Sequence, residues 1–304
     1  MPIDVSLLPY ETGDFDALTG LYASYFSAND RLMDARYLSW QYVQNPHGRA
    51  RLVLAHEGSR LVAAMALVPA RLVKGHEELL AYYVVNVLVH PEWQGRHVFG
   101  KLVRRAIDFV RSENAALMGH PNALALAQWR RSRMVFHAPL KPSLVLSVPW
   151  PFAAGGNARE LGDIRAVEPL VRALLDEARG DSQRWRVNLS TDYLQWRYQA
   201  HPANTYRLQR IFTSSGEPGG LTVTKKIRSG VNLLVDHFML KEAALSKARL
   251  PLLTVGFFAG DEHDRRGAEI ALPLRKRIPF FLTSYARPID SRCVAGLGLS
   301  TSDF

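Results

Sequence analysis

The 304-residue sequence contains a single cysteine, Cys293. One thiol cannot close a disulfide within a chain or build a cysteine zinc site, so the sequence suits a reducing compartment. Long apolar runs are equally scarce. Residues 79–89, one of the longest, are interrupted by Asn86 and are too short to cross a bilayer. The first ten residues carry no basic region followed by an apolar core. We therefore expect a cytoplasmic protein that does not insert into membranes.

Dense basic runs are also lacking, although the net charge is +10 and the isoelectric point is about 9.9. A basic excess favours anionic partners such as phosphorylated small molecules, acidic carrier proteins, nucleic acid or membrane surfaces. The densest clusters, residues 130–133 and 274–277, are short and lack the interleaved aromatic residues on which single-stranded bases stack. We therefore do not expect a nucleic-acid partner. A hydrophobic fraction of 47% with 22% charged residues indicates a folded globular protein.

One aromatic motif occurs twice. Residues 37–42 read Tyr-Leu-Ser-Trp-Gln-Tyr, residues 193–198 read Tyr-Leu-Gln-Trp-Arg-Tyr, and a proline follows each copy at the same distance, at Pro46 and Pro202. Each copy follows a helical pattern and precedes strands, so the repeat predicts two related domains. The aromatic side chains could stack on a sugar in an acceptor pocket. Their recurrence in both halves instead favours the packing of a helix on its sheet.

Two prolines and a Gly-Gly pair within residues 149–157 predict a boundary near residue 152, and hence domains 1–152 and 153–304. The hydrophobic pattern predicts an α/β order of elements in both. In the first domain we expect strands at 51–55, 60–69, 79–90 and 115–118 and helices at 14–26, 98–112 and 122–133. In the second we expect helices at 168–178 and 264–274 and strands at 206–213, 220–227, 231–240, 251–258 and 280–286.

The segment most typical of a binding site joins a strand to a helix. A valine-rich strand ends at His90-Pro91, a polar loop containing Gly95 follows, and a helix begins near Val98. The N-terminus of a helix gathers backbone N–H groups without intrahelical partners and carries partial positive charge. Such a segment binds anions, and a pyrophosphate suits it. Arg96 and Lys101 could add side-chain charge.

This segment resembles the acyl-CoA loop of the GNAT acyltransferase family, in which a valine-rich strand leads into a pattern like V-x-P-x-x-Q-x-x-G-x-G. The residues that fit are Val89, Pro91, Gln94 and Gly95, whereas His97 and Phe99 stand where the family has glycines and Gly100 comes one position later. The asparagine after the next strand, Asn122, matches a family residue that contacts the pantetheine arm. The resemblance implies an acetyl-CoA or other acyl-CoA site formed by Val87, Leu88, Val89, Gln94, Gly95, Arg96, His97, Val98, Phe99, Gly100, Lys101 and Asn122.

Acyl transfer to an amine needs a group that removes a proton, a site for the oxyanion and a proton for the leaving thiolate. The resemblance implies that backbone N–H groups of residues 87–89 hold the oxyanion. The family tyrosine that protonates the thiolate corresponds to Trp129, which has no hydroxyl. The candidate catalytic residues are His90, His120 and Asn86. Each histidine could instead be a strand-end residue, and Asn86 could orient a substrate or water or simply satisfy a bulge.

The fold implied is α/β, with two GNAT-like domains, each a mixed, largely antiparallel sheet flanked by helices. The second is degenerate because no Gln-x-x-Gly loop follows Leu240, and it would complete the acceptor pocket. The implied function is acyl-CoA-dependent transfer to a small-molecule amine, such as an amino sugar, without a metal, in the tandem manner of enzymes of cell-surface polysaccharide biosynthesis. Two alternatives stay open: an acyl carrier protein as donor, and a non-catalytic protein that binds CoA, a nucleotide or a partner.

Overall fold

The computed structural model describes residues 2–11, 14–28, 30–147, 158–181, 185–213, 215–229, 231–240, 253–259, 269–273 and 278–285. The boundary expected at residue 152 lies outside these residues, and so does the segment 241–252 in which the second half lacks a Gln-x-x-Gly pattern. None of the helices in these ranges is long and apolar enough to cross a bilayer.

The first half is a meander of antiparallel strands to which a parallel strand is added. The strands are β1 (Ile3–Pro9), β2 (Arg51–Glu57), β3 (Arg60–Lys74), β4 (Glu77–Val89), β5 (Ala116–Gly119) and β6 (Phe136–Ser147). The helices are α1 (Phe15–Tyr22), α2 (Ala35–Tyr42), α3 (Val98–Ser112) and α4 (Ala123–Arg131). Strands β1 to β4 pair antiparallel in order, and β5 pairs parallel with β4. In α3 the buried residues recur every three or four positions, so one face packs on the sheet.

The second half repeats the early part of this order. Its strands are β7 (Ala158–Glu160), β8 (Arg186–Val187), β9 (Arg207–Phe212), β10 (Pro218–Arg228), β11 (Val231–Met239), β12 (Leu253–Ala259), β13 (Glu269–Pro273) and β14 (Ile278–Ser284). Its helices are α5 (Glu168–Gly180) and α6 (Thr191–Leu194), and a π-helical turn (Gln195–Gln199) extends α6. Strand β12 pairs parallel with β11, as β5 does with β4.

The two halves complete each other's sheet. Strand β14 of the second half lies beside β5, and β6 of the first half lies beside β12. These two exchanged strands also pair with each other, so the described strands form one continuous sheet. A further crossing is made by β8, which pairs with β3. The halves therefore share backbone hydrogen bonds as well as side-chain contacts.

Two apolar clusters cover the two faces of the sheet. One lies under α3 and α4 and includes Leu102, Phe109 and Trp129. The other runs without interruption from α1 and α2 of the first half to α5 of the second, and includes Leu18 and Leu170. Because one cluster spans both halves, we expect the halves to fold together.

The repeated motif forms the contact between the halves. Trp40 and Trp196, 156 residues apart, stack with ring centroids 5.0 Å apart at an interplanar angle of 18°. The indole Nε1 of Trp40 donates to the carbonyl oxygen of Trp196 at 2.7 Å, and the indole of Trp196 donates to the carbonyl oxygen of Trp40 at 2.8 Å. Such a reciprocal pair lies on a pseudo-twofold axis. Tyr37 and Tyr42 are fully buried, in agreement with packing and not with an acceptor pocket.

The expected elements require correction at one helix and four strands. The helix expected at 264–274 is wrong over residues 269–273, which form β13. This strand pairs with residues 143–147 of β6, and a pairing so distant in sequence overrides the local pattern. Strands β1, β6, β7 and β8 were not expected, although residues 3–7 alternate between apolar and polar as a strand does; β6 owes its partners to the exchange, and β7 and β8 are only three and two residues long.

The reciprocal tryptophan pair predicts a non-additive loss of stability. Replacing Trp40 with Ala should lower the free energy of unfolding by about 3–5 kcal/mol, and Trp196→Ala should do the same. The double variant should lose clearly less than the sum, because each single change already breaks the shared contact. Urea unfolding measures all three values. The combination of Trp40→Ala with Trp129→Ala, in the other cluster, should be additive, and additivity of the Trp40–Trp196 pair would contradict the prediction.

Candidate functional site

The site begins at an irregularity in β4. Its register with β3 shifts between Ala64 and Ala66, so that Asn86 and Val87 together oppose Met65. Asn86 has a positive φ of 51°, which asparagine tolerates better than most residues. The pairing of β4 with β5 ends three residues earlier, at Tyr83. Beyond that point β4 has no backbone pairing with β5, and a β-bulge beside an unpaired strand edge is typical of a binding site.

The edge of β4 beyond Tyr83 offers unpaired backbone groups. Successive N–H groups of a strand point to opposite sides, and the His90 N–H donates to Val62 O of β3. The N–H groups of Val87 and Val89 therefore face away from β3, towards the cleft. On the same side, Gln94 Nε2 donates to Val89 O at 3.2 Å and fastens the loop to the strand. The segment expected to hold an oxyanion thus has donors on its open side.

The loop after β4 leads directly into the N-terminus of α3. A 3₁₀ turn (Pro91–Trp93) is followed by Gly95 and His97, both with positive φ, at 78° and 60°. The N–H groups of Val98, Phe99 and Gly100 lie in the first turn of α3 and therefore have no intrahelical partner. No side chain caps the helix in their place. The loop residues 94–97 and Gly100 are exposed. This arrangement can bind an anion through backbone N–H groups and the helix dipole.

Two departures from the family pattern contact each other. Phe99 and Trp129 pack edge to face, with ring centroids 5.4 Å apart. Trp129 is buried and lies 4.7 Å from Phe281 of β14. The Phe99 ring is therefore turned towards the cluster under α3 and α4, and it leaves the N–H groups of the loop uncovered.

The loop and its helix carry several cations. Arg96 is exposed and lies 5.8 Å from the Trp93 ring. Lys101 is not directed at the loop, because its Nζ donates to Ile3 O of β1 at 3.2 Å. The other exposed cations of this face form no ion pair with any described residue, and they are Arg104, Arg105, Arg130, Arg131 and Arg133.

His120 lies where the two halves meet at the cleft. Its ring centroid is 4.8 Å from that of Phe280 and 5.9 Å from that of Tyr83. Its Nδ1 is 3.2 Å from Pro279 O, and because a carbonyl only accepts, Nδ1 carries the proton. Nε2 is then a bare acceptor, and it is buried with no partner among the described residues. Burial lowers the pKa of His120 from 6.5 to about 4, so the ring is neutral near pH 7.

The other two candidate catalytic residues are held by structural contacts. The ring of His90 lies 3.1 Å from an Arg60 nitrogen and edge-on to Trp93, and its Nδ1 accepts from the Glu92 N–H. These contacts place it on the β3 side of β4, away from the cleft. Asn86 donates from Nδ2 to Gln41 Oε1 at 2.6 Å and to Tyr42 OH at 2.7 Å.

Asn122 caps α4, since its Oδ1 accepts from the Ala125 N–H at 2.9 Å. Its contact with a pantetheine arm stays a prediction. Sequence reasoning gave Gln41 no site role, favoured packing over an acceptor pocket for Tyr42, and missed Pro279. The first two lie in the repeated motif, which was a usable signal, whereas the approach of Pro279 depends on the strand exchange.

No group of three or more His, Cys, Asp or Glu side chains within the described ranges could hold a metal ion.

Comparisons with known proteins agree with this geometry. A model of the acetyltransferase (GNAT) domain matches residues 8–123, which include the cleft, the loop and α3. Residues 8–123 are therefore similar to a GNAT acetyltransferase domain. No curated protein sequence matches the chain.

Solved structures extend the fold to the second half. A GCN5-related N-acetyltransferase from Kribbella flavida superposes with a TM-score of 0.68 at 14% identity, over 93% of this chain and 72% of that one. A probable N-acyltransferase from Enterococcus faecalis V583 gives 0.66 at 11% identity, with the same shares of the two chains. A tandem GNAT protein of the clavulanic acid biosynthesis pathway gives 0.54 at 14% identity, over 94% of this chain and all of that one. At identities of 11–14% this likeness shows the fold alone. That fold consists of two GNAT-like halves.

The second half has a β-bulge in the corresponding strand, β11, where Val235 is the extra residue and Asp236 lies next to it. The register between β10 and β11 shifts beside Asp236, just after the pairing of β11 with β12 ends at Leu234. Asp236 is buried and accepts from Tyr198 OH, and Arg197 Nε lies 3.9 Å from its Oδ2. Arg197 and Tyr198 follow Trp196 as Gln41 and Tyr42 follow Trp40. An ionic group therefore replaces the neutral amide of the first half.

The buried histidines predict a loss of stability in mild acid. Below pH 6.5 the unfolded chain binds protons that folded His120 and His47, both with pKa values lowered to about 4 by burial, do not bind. The free energy of unfolding should therefore fall as the pH decreases from about 6.5 to about 4. His120→Gln should reduce this slope in urea unfolding. His76→Gln, in the exposed β3–β4 turn, should not, and an unchanged slope in His120→Gln would contradict the assignment.

Proposed function

We propose that this protein is an acyl-CoA-dependent N-acyltransferase that transfers an acetyl group directly to a small-molecule amine, such as an amino sugar or another amine-bearing metabolite. One observation carries the proposal. The open edge of β4, with the N–H groups of Val87 and Val89, continues through a positive-φ loop into the uncapped N-terminus of α3. A thioester carbonyl and a pyrophosphate, the two ends of acyl-CoA that need hydrogen-bond donors, would both find them along one strand and helix.

The donor would be held mainly by backbone groups. The pyrophosphate would accept from the first-turn N–H groups of α3, with Arg96 nearby, and the pantetheine arm would run along the edge of β4 towards the bulge. His97 fits this loop, because it adopts a left-handed φ of 60° at the residue before α3. Phe99 is compatible with it, because its ring is engaged by Trp129.

The chemistry follows from the groups at the cleft. The amine nitrogen attacks the thioester carbon, a C–N bond forms, and the carbonyl oxygen gains a negative charge that the Val87 and Val89 N–H groups stabilise. The nitrogen becomes positively charged and strongly acidic, so the weakly basic Nε2 of His120 can take its proton. The C–S bond then breaks, the tetrahedral centre returns to an amide, and His120 gives the proton to the departing thiolate.

A charge placed in the first turn of α3 tests the donor site. Gly100 is exposed and a Cβ there meets nothing within 4 Å, so Gly100→Glu should fold normally. A carboxylate at a helix N-terminus stabilises the helix but repels a pyrophosphate. We expect calorimetric titration to show acetyl-CoA binding by the unaltered protein and at least tenfold weaker binding by Gly100→Glu.

Gly20→Glu is the matched control, since Gly20 is also exposed, helical and unobstructed but lies in α1. It should bind acetyl-CoA normally. If the unaltered protein binds neither CoA nor any acyl-CoA, the donor assignment fails. If Gly100→Glu binds as well as Gly20→Glu, the pyrophosphate is not at α3.

A second donor is favoured by a specific observation. The exposed face of α3 and the end of α4 present cations that form no ion pair with the described residues, and Leu124 in the first turn of α4 is 84% exposed. Exposed cations and an exposed apolar side chain on the same two helices are features that an acidic carrier protein complements. An acyl carrier protein would deliver the same phosphopantetheine thioester without the adenosine of CoA.

Reversing the charge of two arginines on α3 distinguishes acetyl-CoA from an acyl carrier protein as the donor. The double variant Arg104→Glu/Arg105→Glu should raise the KM for an acetylated acyl carrier protein about tenfold or more if the carrier docks there, because like charges at an interface repel. The KM for acetyl-CoA should change far less. Arg165→Glu, on the exposed surface of the second half, is the control. Transfer from acetyl-CoA with none from the carrier protein would remove the second donor.

A further inference from the structure

Asn86 has one side of its side-chain amide fully engaged and the other open. Both hydrogens of Nδ2 are used, one by Gln41 Oε1 at 2.6 Å and one by Tyr42 OH at 2.7 Å. Gln41 and Tyr42 are fully buried, and Gln41 Nε2 donates to Tyr37 OH, so Oε1 is fixed as the acceptor. The orientation of the Asn86 amide is therefore determined by the residues that follow Trp40.

The oxygen of this amide is left without a partner. No donor among the described residues lies within hydrogen-bond distance of Asn86 Oδ1, and Asn86 is partly exposed. The oxygen lies in the bulge, beside Val87, whose N–H faces the cleft. A polar atom held rigidly at the mouth of a cleft, unpaired and able only to accept, is suited to bind a donor group of a ligand.

We propose that Asn86 Oδ1 accepts a hydrogen bond from the amine of the acyl acceptor and thereby holds its nitrogen next to the thioester carbon. The inference rests on the proposed function for the identity of the ligand. A primary amine has hydrogens to donate and a lone pair to attack with, and one N–H bound to Oδ1 leaves the lone pair available. A carbonyl oxygen also binds an ammonium group, which is the common form of an amine near neutral pH.

This inference assigns Gln41 and Tyr42 a positioning role. They contact neither end of the donor, but they determine which atom of Asn86 is presented to the cleft. Trp40 precedes them and is held by Trp196 of the second half. The second half thus contributes to amine binding through a chain of buried contacts.

Asn86→Gly is the decisive variant. Glycine adopts a positive φ without strain, so the bulge and the backbone N–H groups are retained while the amide is removed. We expect binding of primary amines, measured by calorimetry with glucosamine and spermidine as probes, to weaken about tenfold, as the loss of one hydrogen bond implies. The dissociation constant of acetyl-CoA should change less than twofold.

Asn86→Asp is the conservative variant. It is combined with Gln41→Arg, because a carboxylate oxygen would otherwise face the acceptor Gln41 Oε1, and the pair then copies Arg197 and Asp236 of the second half, where Tyr198 donates to Asp236. Amine binding should be retained or strengthened. Tyr42→Phe should weaken amine binding less than Asn86→Gly, and Tyr22→Phe, whose hydroxyl is 3.4 Å from Tyr42 OH but does not contact Asn86, should leave it unchanged.

The outcomes separate this inference from the proposed function. Normal amine binding by Asn86→Gly, or no binding of either amine by the unaltered protein, overturns the role of Asn86 whatever the donor titration gives. Amine binding that depends on Asn86 in a protein that binds no acyl-CoA would support this role and refute the transferase. Loss of acetyl-CoA binding together with amine binding in Asn86→Gly would indicate a collapsed bulge and would also overturn the inference.

Discussion

The reciprocal contact between Trp40 and Trp196 is the constraint on which the rest of the arrangement depends. Two indoles stack, and each donates to the backbone carbonyl of the other, so neither half can satisfy its own buried N–H group without its counterpart. The next two residues of each copy are then fixed in place. Gln41 and Tyr42 hold the bulge of β4, and Arg197 and Tyr198 hold the bulge of β11. The aromatic contact therefore determines the geometry of two distant strands.

The second half has no identifiable phosphate loop, and its contribution to the site comes from the exchanged strand β14. β14 closes the sheet beside β5 and brings Pro279 to His120, which fixes the tautomer of the ring. It also brings Phe281 to Trp129, and Trp129 in turn contacts Phe99 at the start of α3. The second half thus builds the far wall of the cleft and the support of the loop. A first half alone would expose β5 and lose these contacts.

Local patterns predicted the parts of the site that are contiguous in sequence. The strand, loop and helix from Val89 to Lys101 could be predicted because valine content, Gly95 and the helical period of α3 act over neighbouring residues. The repeated motif predicted two related halves for the same reason. The contacts of Asn86 with Gln41, of His120 with Pro279 and of β13 with β6 join residues 45 to 159 apart or strands of different halves. No local pattern encodes them, because they arise only when the exchanged sheet closes.

His97 and Phe99, which stand where the family has glycines, each keep one property that a glycine would give the loop. A glycine at position 97 would supply a left-handed φ, and His97 adopts that φ at a cost of about 1–2 kcal/mol. A glycine at position 99 would leave room above the helix, and Phe99 achieves the same by turning against Trp129. Trp129, which replaces a hydroxyl that could protonate a thiolate, is buried in the cluster that supports α3. In the proposed transferase Trp129 therefore serves as a structural support, and the proton for the thiolate comes from another group. In the proposed transfer we assign this proton to His120, which is neutral, oriented by Pro279 and without a described partner at Nε2.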